Sequence, residues 1–158
     1  KITRGFDIAR ALALGADWCT AARGYMSSLG CIQAQKCHTD RCPSGVTTQD
    51  PRRWRSLAVE DKAARVFRFH QASLDALREL LAAAGLAHPQ ELGPEHILRR
   101  VSPPQVHSFA SLYRFLPPGE LLDGVPDHAV FRDYWALARS DSFVPPERVR
   151  GLRASKLR

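Results

Sequence analysis

The chain lacks an apolar run approaching the ~18 residues that a membrane-crossing helix requires, so no membrane span is expected. Its N-terminus, KITRGFDIAR, has no apolar core of a secretory leader and no initiator methionine. These two absences lead to the expectation of a cytoplasmic protein whose chain is the C-terminal piece of something longer. Internal repeats and low-complexity tracts are also missing, which argues against solenoids and compositional linkers. Sulfur is scarce: there are one methionine and four cysteines in 158 residues. Three of those cysteines, Cys31, Cys37 and Cys42, nonetheless crowd into one polar stretch of twelve residues.

The composition is globular, with 44% hydrophobic and 25% charged residues, and the length is enough for one ordinary domain with a core. A net charge of +7 raises the question of an acidic partner. The basic residues are scattered, however. Their densest groups, RRWR (Arg52 to Arg55) and the tail ERVRGLRASKLR, come without a recognition helix or the aromatic pattern of a nucleic-acid module. They read as solvated faces, and no nucleic-acid partner is expected.

The first thirty residues read as helix, strand, helix. Ile8, Ala11, Leu12 and Gly15 follow the spacing of one buried helix face, with Asp7 in the first turn and Gly15 placed to end the helix. ADWCT (Ala16 to Thr20) reads as a short buried strand, with Cys19 a small core residue rather than a ligand. A second helix should begin near Ala22 and run to about Gly30. This is the rhythm of a parallel α/β protein, and a lone parallel strand needs neighbours on both sides. No convincing strand follows, so the rest of the sheet is expected before Lys1.

A long periodic element covers Leu57 to Ala84. Val59, Ala63, Val66, Phe67, His70, Leu74, Leu77 and Leu81 trace its stripe, and Gly85 and Pro89 mark its end. His70 reads as a hydrogen-bonded, half-buried histidine rather than a metal ligand. Beyond it, PEHILRRV, PPQVHSFASLYRFL, PGELLDG and HAVFRDYWALARSDSF read as short helices set apart by proline, giving an all-α half. The stretch from Pro145 has little apolar content and is expected to fray.

The cysteine spacing is C-x5-C-x4-C, followed by Pro43. A secreted disulfide framework fits poorly with an odd cluster in a chain of this size. Zinc would need a fourth ligand, for which His38 is the candidate, but adjacent residues rarely reach one metal and the C-x2-C hook is missing. Three thiols without a fourth suit a cuboidal iron–sulfur cluster that lacks one iron. Lys36 and Arg41 would offset the charge, and backbone N–H groups of Thr39 to Arg41 would donate to the sulfides. The spacing therefore favours an iron–sulfur site, with structural zinc as the alternative.

The stretch ALALGADWCTAARGYMSSLGCIQAQKCHTDRCPSGVTTQDP resembles the end of the flavin-binding synthase domain of glutamate synthases, and in particular the single-chain FMN-binding glutamate synthase family. In that family the pattern LGC-x5-C-H-x3-C-P-x-G-x-x-TQ-[DN]-P carries a 3Fe–4S cluster. Cys31, Cys37 and Cys42 fall on its three cysteines, and His38, Pro43, Gly45, Thr48, Gln49 and Pro51 match around them. The resemblance is strongest from Phe6 to Pro51, loosens through the long helix and fades beyond Gly124.

The resemblance implies an α/β fold containing the last β/α unit of a (β/α)8 FMN-binding barrel. Residues 1–30 would end the barrel, 31–51 would form the iron–sulfur loop, 52–144 a mostly α-helical extension, and 145–158 a flexible tail. Loops after strands seven and eight of such barrels hold a phosphate, which places the FMN phosphate at Ala22 and Arg23. Many family members carry Gly-Thr there, so Ala22-Arg23 is a departure; Arg23 would pair with the phosphate, or alternatively cap a surface helix. The implied reaction is reductive amination of 2-oxoglutarate to L-glutamate with ammonia or glutamine as nitrogen source. Electrons would come from ferredoxin or an NAD(P)H-dependent partner through the 3Fe–4S cluster to FMN. No catalytic residue is assigned within this chain, and the glutaminase of full-length glutamate synthases, which needs an N-terminal cysteine, is not visible: this sequence begins with lysine.

Overall fold

The computed structural model describes residues 1–124, 127–135 and 137–144. The chain divides into two compact units, Lys1–Leu112 and Tyr113–Arg158. The expected tail, 145–158, lies outside the described residues.

The first unit is built on helix α1 (Gly5–Ala13) packed against the 25-residue helix α4 (Val59–Ala83), with the short helix α2 (Ala22–Ser28) beside α4 and α3 (Pro51–Trp54) after the cysteine loop. Asp7 organises the start of α1. Its Oδ2 accepts from the Thr3 N–H and hydroxyl, each at 3.0 Å, and from the Arg4 N–H at 3.2 Å. The buried positions of α1 are Gly5, Ala9 and Ala13, four residues apart. Small residues on that line let the helix come close to α4: a Cβ on Gly5 would stand 2.8 Å from both the Ala76 Cβ and the Leu77 nitrogen. Ala9, Leu77 and Leu81 then form one apolar cluster, with Ile8, Leu80, Leu86 and Leu92 packed around it.

Helices α1, α2 and α4 stop in the same way. Gly15, Gly30 and Gly85 take positive φ values of 96°, 105° and 73° just past α1, α2 and α4. The following residue returns its N–H to the helix in each case, Ala16 to Ala11, Cys31 to Met26 and Leu86 to Leu81. This is the Schellman arrangement, which favours glycine because it has no Cβ to clash in the left-handed region.

Four expectations need correcting. Ala16 to Thr20 forms no strand among the described residues, and Trp18 within it is 81% exposed, because a parallel strand without neighbours has nothing to pair with. Cys19 there is half-buried rather than in the core. The inward face of α4 is turned from the expected stripe: Val59 and Phe67 are exposed, while Val66, Phe69, Leu74, Leu77 and Leu81 face inward to different depths. Finally, the predicted helices at PEHILRRV and PPQVHSFASLYRFL are largely replaced by an antiparallel hairpin, β1 (Leu98–Ser102) and β2 (Gln105–Ser108), with only single 3-10 turns before it, Pro89–Glu91 and Pro94–His96, and the one predicted at PGELLDG is a run of turns and bends. Pro103 and Pro104 stand at its turn, where proline interrupts helices and fits a bend. A short helix α5 (Phe109–Leu112) follows, and Phe109 closes a second cluster with Ala13 and Ile97.

In the second unit, His128 gathers its surroundings. Its Nδ1 accepts from the Val130 and Phe131 N–H groups at 3.2 and 3.4 Å, and its Nε2 lies 3.2 Å from the Arg114 carbonyl oxygen. Helix α6 (Phe131–Trp135) starts from this point, within the region expected to be helical. No helix among the described residues is long and apolar enough to cross a membrane.

A candidate cofactor site at the cysteine loop

Residues 31–50 leave α2 and return to α3 with almost no regular structure beyond one 3-10 turn at Cys37–Thr39. Residues 32 to 41 are all exposed, so hydrophobic burial does not shape this segment. Directional hydrogen bonds do. Asp40 sits in the left-handed region with φ of 58°; its Oδ1 accepts from the Gln49 N–H at 2.6 Å and its carbonyl from the Thr48 hydroxyl at 2.6 Å. These two bonds tie the middle of the loop to its exit. Asp50 caps α3 by accepting from the Arg52 N–H at 2.9 Å, with Pro51 in the first turn. Gly45 has no room for a side chain, because a Cβ would lie 2.5 Å from the Arg53 carbonyl oxygen. The non-glycine residues with positive φ among those described, Gln33, Gln35 and Asp40, are all in this loop.

The three thiols sit in different settings. Cys31 is half-buried and fixed by the Schellman end of α2; its sulfur accepts from the Gln33 N–H at 3.4 Å. Cys37 is exposed on the 3-10 turn. Cys42 is buried, and its pKa is lowered from 9.0 to about 6. The Ser44 hydroxyl, 3.4 Å from the sulfur, is the first cause, followed by the backbone N–H and hydroxyl of Thr47. The Thr47 hydroxyl is close enough to favour the thiolate, yet it meets no partner in proper hydrogen-bond geometry, and its oxygen is the unsatisfied buried side-chain atom among the described residues. A thiolate held by a cationic centre would give that hydroxyl an acceptor.

Cys31, Cys37 and Arg23 line one hollow of about 220 Å³, together with Met26, Gln33 and Gln35. Cys42 is not part of that lining, and no three His, Cys, Asp or Glu side chains among the described residues are gathered tightly enough to hold a metal ion. His38, the candidate fourth zinc ligand, is exposed. Lys36 and Arg41 border a common hollow with Thr39. The Thr39 N–H is spent on the Lys36 carbonyl; the Cys31 sulfur accepts instead from the Gln33 N–H. Ala22 and Arg23 are both exposed at the start of α2, whose first turn has no side-chain cap.

Sequence reasoning missed two features. The Tyr25 hydroxyl and His70 Nδ1 are hydrogen-bonded at 2.6 Å across 45 residues, and no local pattern could show it. The triplet Ser44, Thr47 and Cys42 was open to detection, since hydroxyl residues two and five positions after a cysteine are placed to donate to its sulfur within one turn.

A family model described as a conserved region in glutamate synthase matches residues 1–87, more than half of the 158. A glutamate synthase large subunit-like protein of Bacillus subtilis is 47% identical over 100 residues, 63% of this chain and 19% of that protein. An archaeal-type NADPH glutamate synthase of Thermotoga is 31% identical over 121 residues, 75% of this chain and 23% of the relative. The NADH glutamate synthase of Saccharomyces cerevisiae is 30% identical over 92 residues, 58% of this chain and 4% of the yeast protein. The chain thus spans about a fifth or less of the length of these relatives. No solved structure matches it.

Proposed function

Since this chain belongs to the glutamate synthase family, we propose that it carries the iron–sulfur loop and part of the flavin-phosphate site of a glutamate synthase-like oxidoreductase. In the same proposal residues 1–30 complete a (β/α)8 barrel, and the enzyme aminates 2-oxoglutarate reductively to L-glutamate. Its nitrogen source is ammonia or glutamine, its electron donor ferredoxin or an NAD(P)H-dependent partner. Free thiols of this kind persist in a reducing compartment, which supports a cytoplasmic setting.

The observation that carries the reading is the state of Cys42. Its buried sulfur lies 3.4 Å from the Ser44 hydroxyl beside the unsatisfied Thr47 hydroxyl, a setting that favours the thiolate, the form that ligates iron. Cys31 and Cys37 already share one hollow, so closing the set requires Cys42 to join them as the loop folds around its ligand. The donor set fits three cluster corners better than zinc, because the only imidazole in the loop is exposed next to Cys37. When bound, the flavin supplies hydride chemistry and the cluster single-electron relay. The chain's own residues bind and orient: Arg23 offers a guanidinium to a phosphate, the Gln33 N–H donates to the Cys31 sulfur, and Lys36 and Arg41 offset negative charge.

The test is metal and sulfide content after anaerobic reconstitution with iron and sulfide, with low-temperature EPR of the oxidised sample. About three irons per chain and a paramagnetic oxidised cluster are the expected result, since three cysteine ligands suit a cluster one iron short. Zinc retained without sulfide, or no iron taken up, overturns the reading.

A further inference from the structure

Helix α2 joins the two halves of the proposed cofactor site. It begins at Ala22 and Arg23, and its Schellman end delivers Cys31, whose N–H is bonded to the Met26 carbonyl at 3.0 Å. With seven residues it is only about 10 Å long and far below the length at which a helix holds itself together in water. Its first turn has no side-chain cap and only Gly24 is buried, so its position depends on what it packs against.

That support is α4, and it acts through two adjacent residues. Phe69 lies so near the α2 backbone that a Cβ on Gly24 would stand 2.6 Å from the ring edge. The Tyr25 ring meets Phe69 edge-on, with centroids 5.2 Å apart at 82°. The Tyr25 hydroxyl is bonded to His70 Nδ1 at 2.6 Å. The ring contact and the glycine fix how close α2 lies, and the hydrogen bond fixes its rotation. His70 is exposed, so its removal leaves no cavity in the core.

We propose that His70 is a positioning residue: through Tyr25, and with Phe69 against Gly24, it seats α2 on α4 and so sets the spacing between the flavin-phosphate residues Ala22 and Arg23 and the cluster ligand Cys31. The inference rests on the cofactor reading above. It assigns a function to a histidine outside the hollow lined by Arg23, Cys31 and Cys37. A slide or roll of α2 moves both ends at once, so loss of this clamp affects the flavin and the cluster together.

The experiment uses the whole protein that contains this chain, reconstituted with FMN, iron and sulfide, and compares Tyr25→Phe, His70→Leu, the double variant and His70→Asn. Tyr25→Phe and His70→Leu should each raise the FMN dissociation constant about tenfold, the size expected for loss of one well-formed hydrogen bond. Each should also broaden the EPR signal of the oxidised cluster, with iron content and melting temperature near those of the unmodified protein. The double variant should be no worse than either single one, and His70→Asn, whose amide oxygen can replace Nδ1, should recover most of the affinity. Unchanged FMN binding and EPR in the single variants overturn the clamp, as do losses that add in the double variant and follow melting temperature. Unmodified protein that binds neither FMN nor iron sinks the cofactor reading instead, and this inference with it.

Discussion

The α1–α4 pair and the cysteine loop are held by opposite means. The helices meet through Gly5 and Ala9 on one side and Ala76, Leu77 and Leu81 on the other, an apolar seam. Hydrophobic burial of this kind has little directional requirement and tolerates swaps that conserve volume. In the loop, residues 32 to 41 are exposed, and order comes from bonds made by Asp40, Thr48 and Asp50. Three of its residues hold left-handed backbone without being glycine. Such conformations cost roughly 1–3 kcal/mol each and concentrate at ligand sites, where the surroundings hold them in place. The seam leaves no buried side-chain polar atom unsatisfied among the described residues, whereas the loop leaves the Thr47 hydroxyl unsatisfied and Cys42 apart from the hollow shared by its fellow thiols.

The comparison breaks most sharply at Cys37. Replacing it by serine should abolish iron binding and visible absorbance altogether. Because Cys37 is exposed, the metal-free variant should melt within ~0.5 kcal/mol of the parent, as expected of surface substitutions. A large loss of stability in metal-free protein would show that loop and scaffold are not energetically separate.

The converse test is Leu77→Ala, at the centre of the seam. It should cost about 2–4 kcal/mol in urea denaturation, the range for truncating a buried leucine. Iron bound per folded chain should stay unchanged. Loss of iron in step with Leu77 truncation, at temperatures where the variant is fully folded, would erase the distinction.

A smaller effect is expected at the start of α1. Asp7→Ala removes the acceptor for Thr3 and Arg4 and should cost about 1 kcal/mol at neutral pH. The Asp7 pKa is held below its ordinary 3.8, first by the Thr3 N–H, so the carboxylate contributes fully above that value. Its contribution fades as pH falls through the lower folded value, and the difference between parent and variant should vanish in acid. A penalty that persists at pH 2 would assign the effect to packing rather than to the charge.

The smallest change is a titration. In metal-free protein, Ser44→Ala removes the leading cause of the low Cys42 pKa, so the thiolate absorbance near 240 nm should titrate above the parent value of about 6. The sign follows from the depressed folded value. The thiolate's stabilisation is complete above the unfolded pKa of 9.0, declines through the window between, and is gone below about 6. The variant's stability deficit should therefore be full above about pH 9, shrink as pH falls from 9 to 6 and vanish below about 6. An unchanged midpoint would transfer the effect to Thr47.

Asp7 and the three helices were legible because local rules place them: a carboxylate at a helix start, apolar spacing of three and four, and Gly15 and Gly85 at the stops. The cysteine spacing likewise singled out the loop as the candidate cofactor site. The hairpin was not legible, since the pairing of Leu98 with Ser108 depends on residues meeting across a turn, and the apolar content of that stretch suits a helix equally well. The rotation of α4 was lost for a similar reason. Phe67 and Phe69 are equal candidates by hydrophobicity, and only the approach of Gly24 and Tyr25 selects Phe69.

The sequence by itself determined where helices begin and end and which thiols stand together in the chain, because capping, periodicity and residue spacing act over a few neighbouring positions. Only the tertiary structure decided which face of α4 is inward and that Tyr25 meets His70. Those outcomes depend on contacts between distant segments and on the direction of individual hydrogen bonds, which no local pattern in the chain encodes.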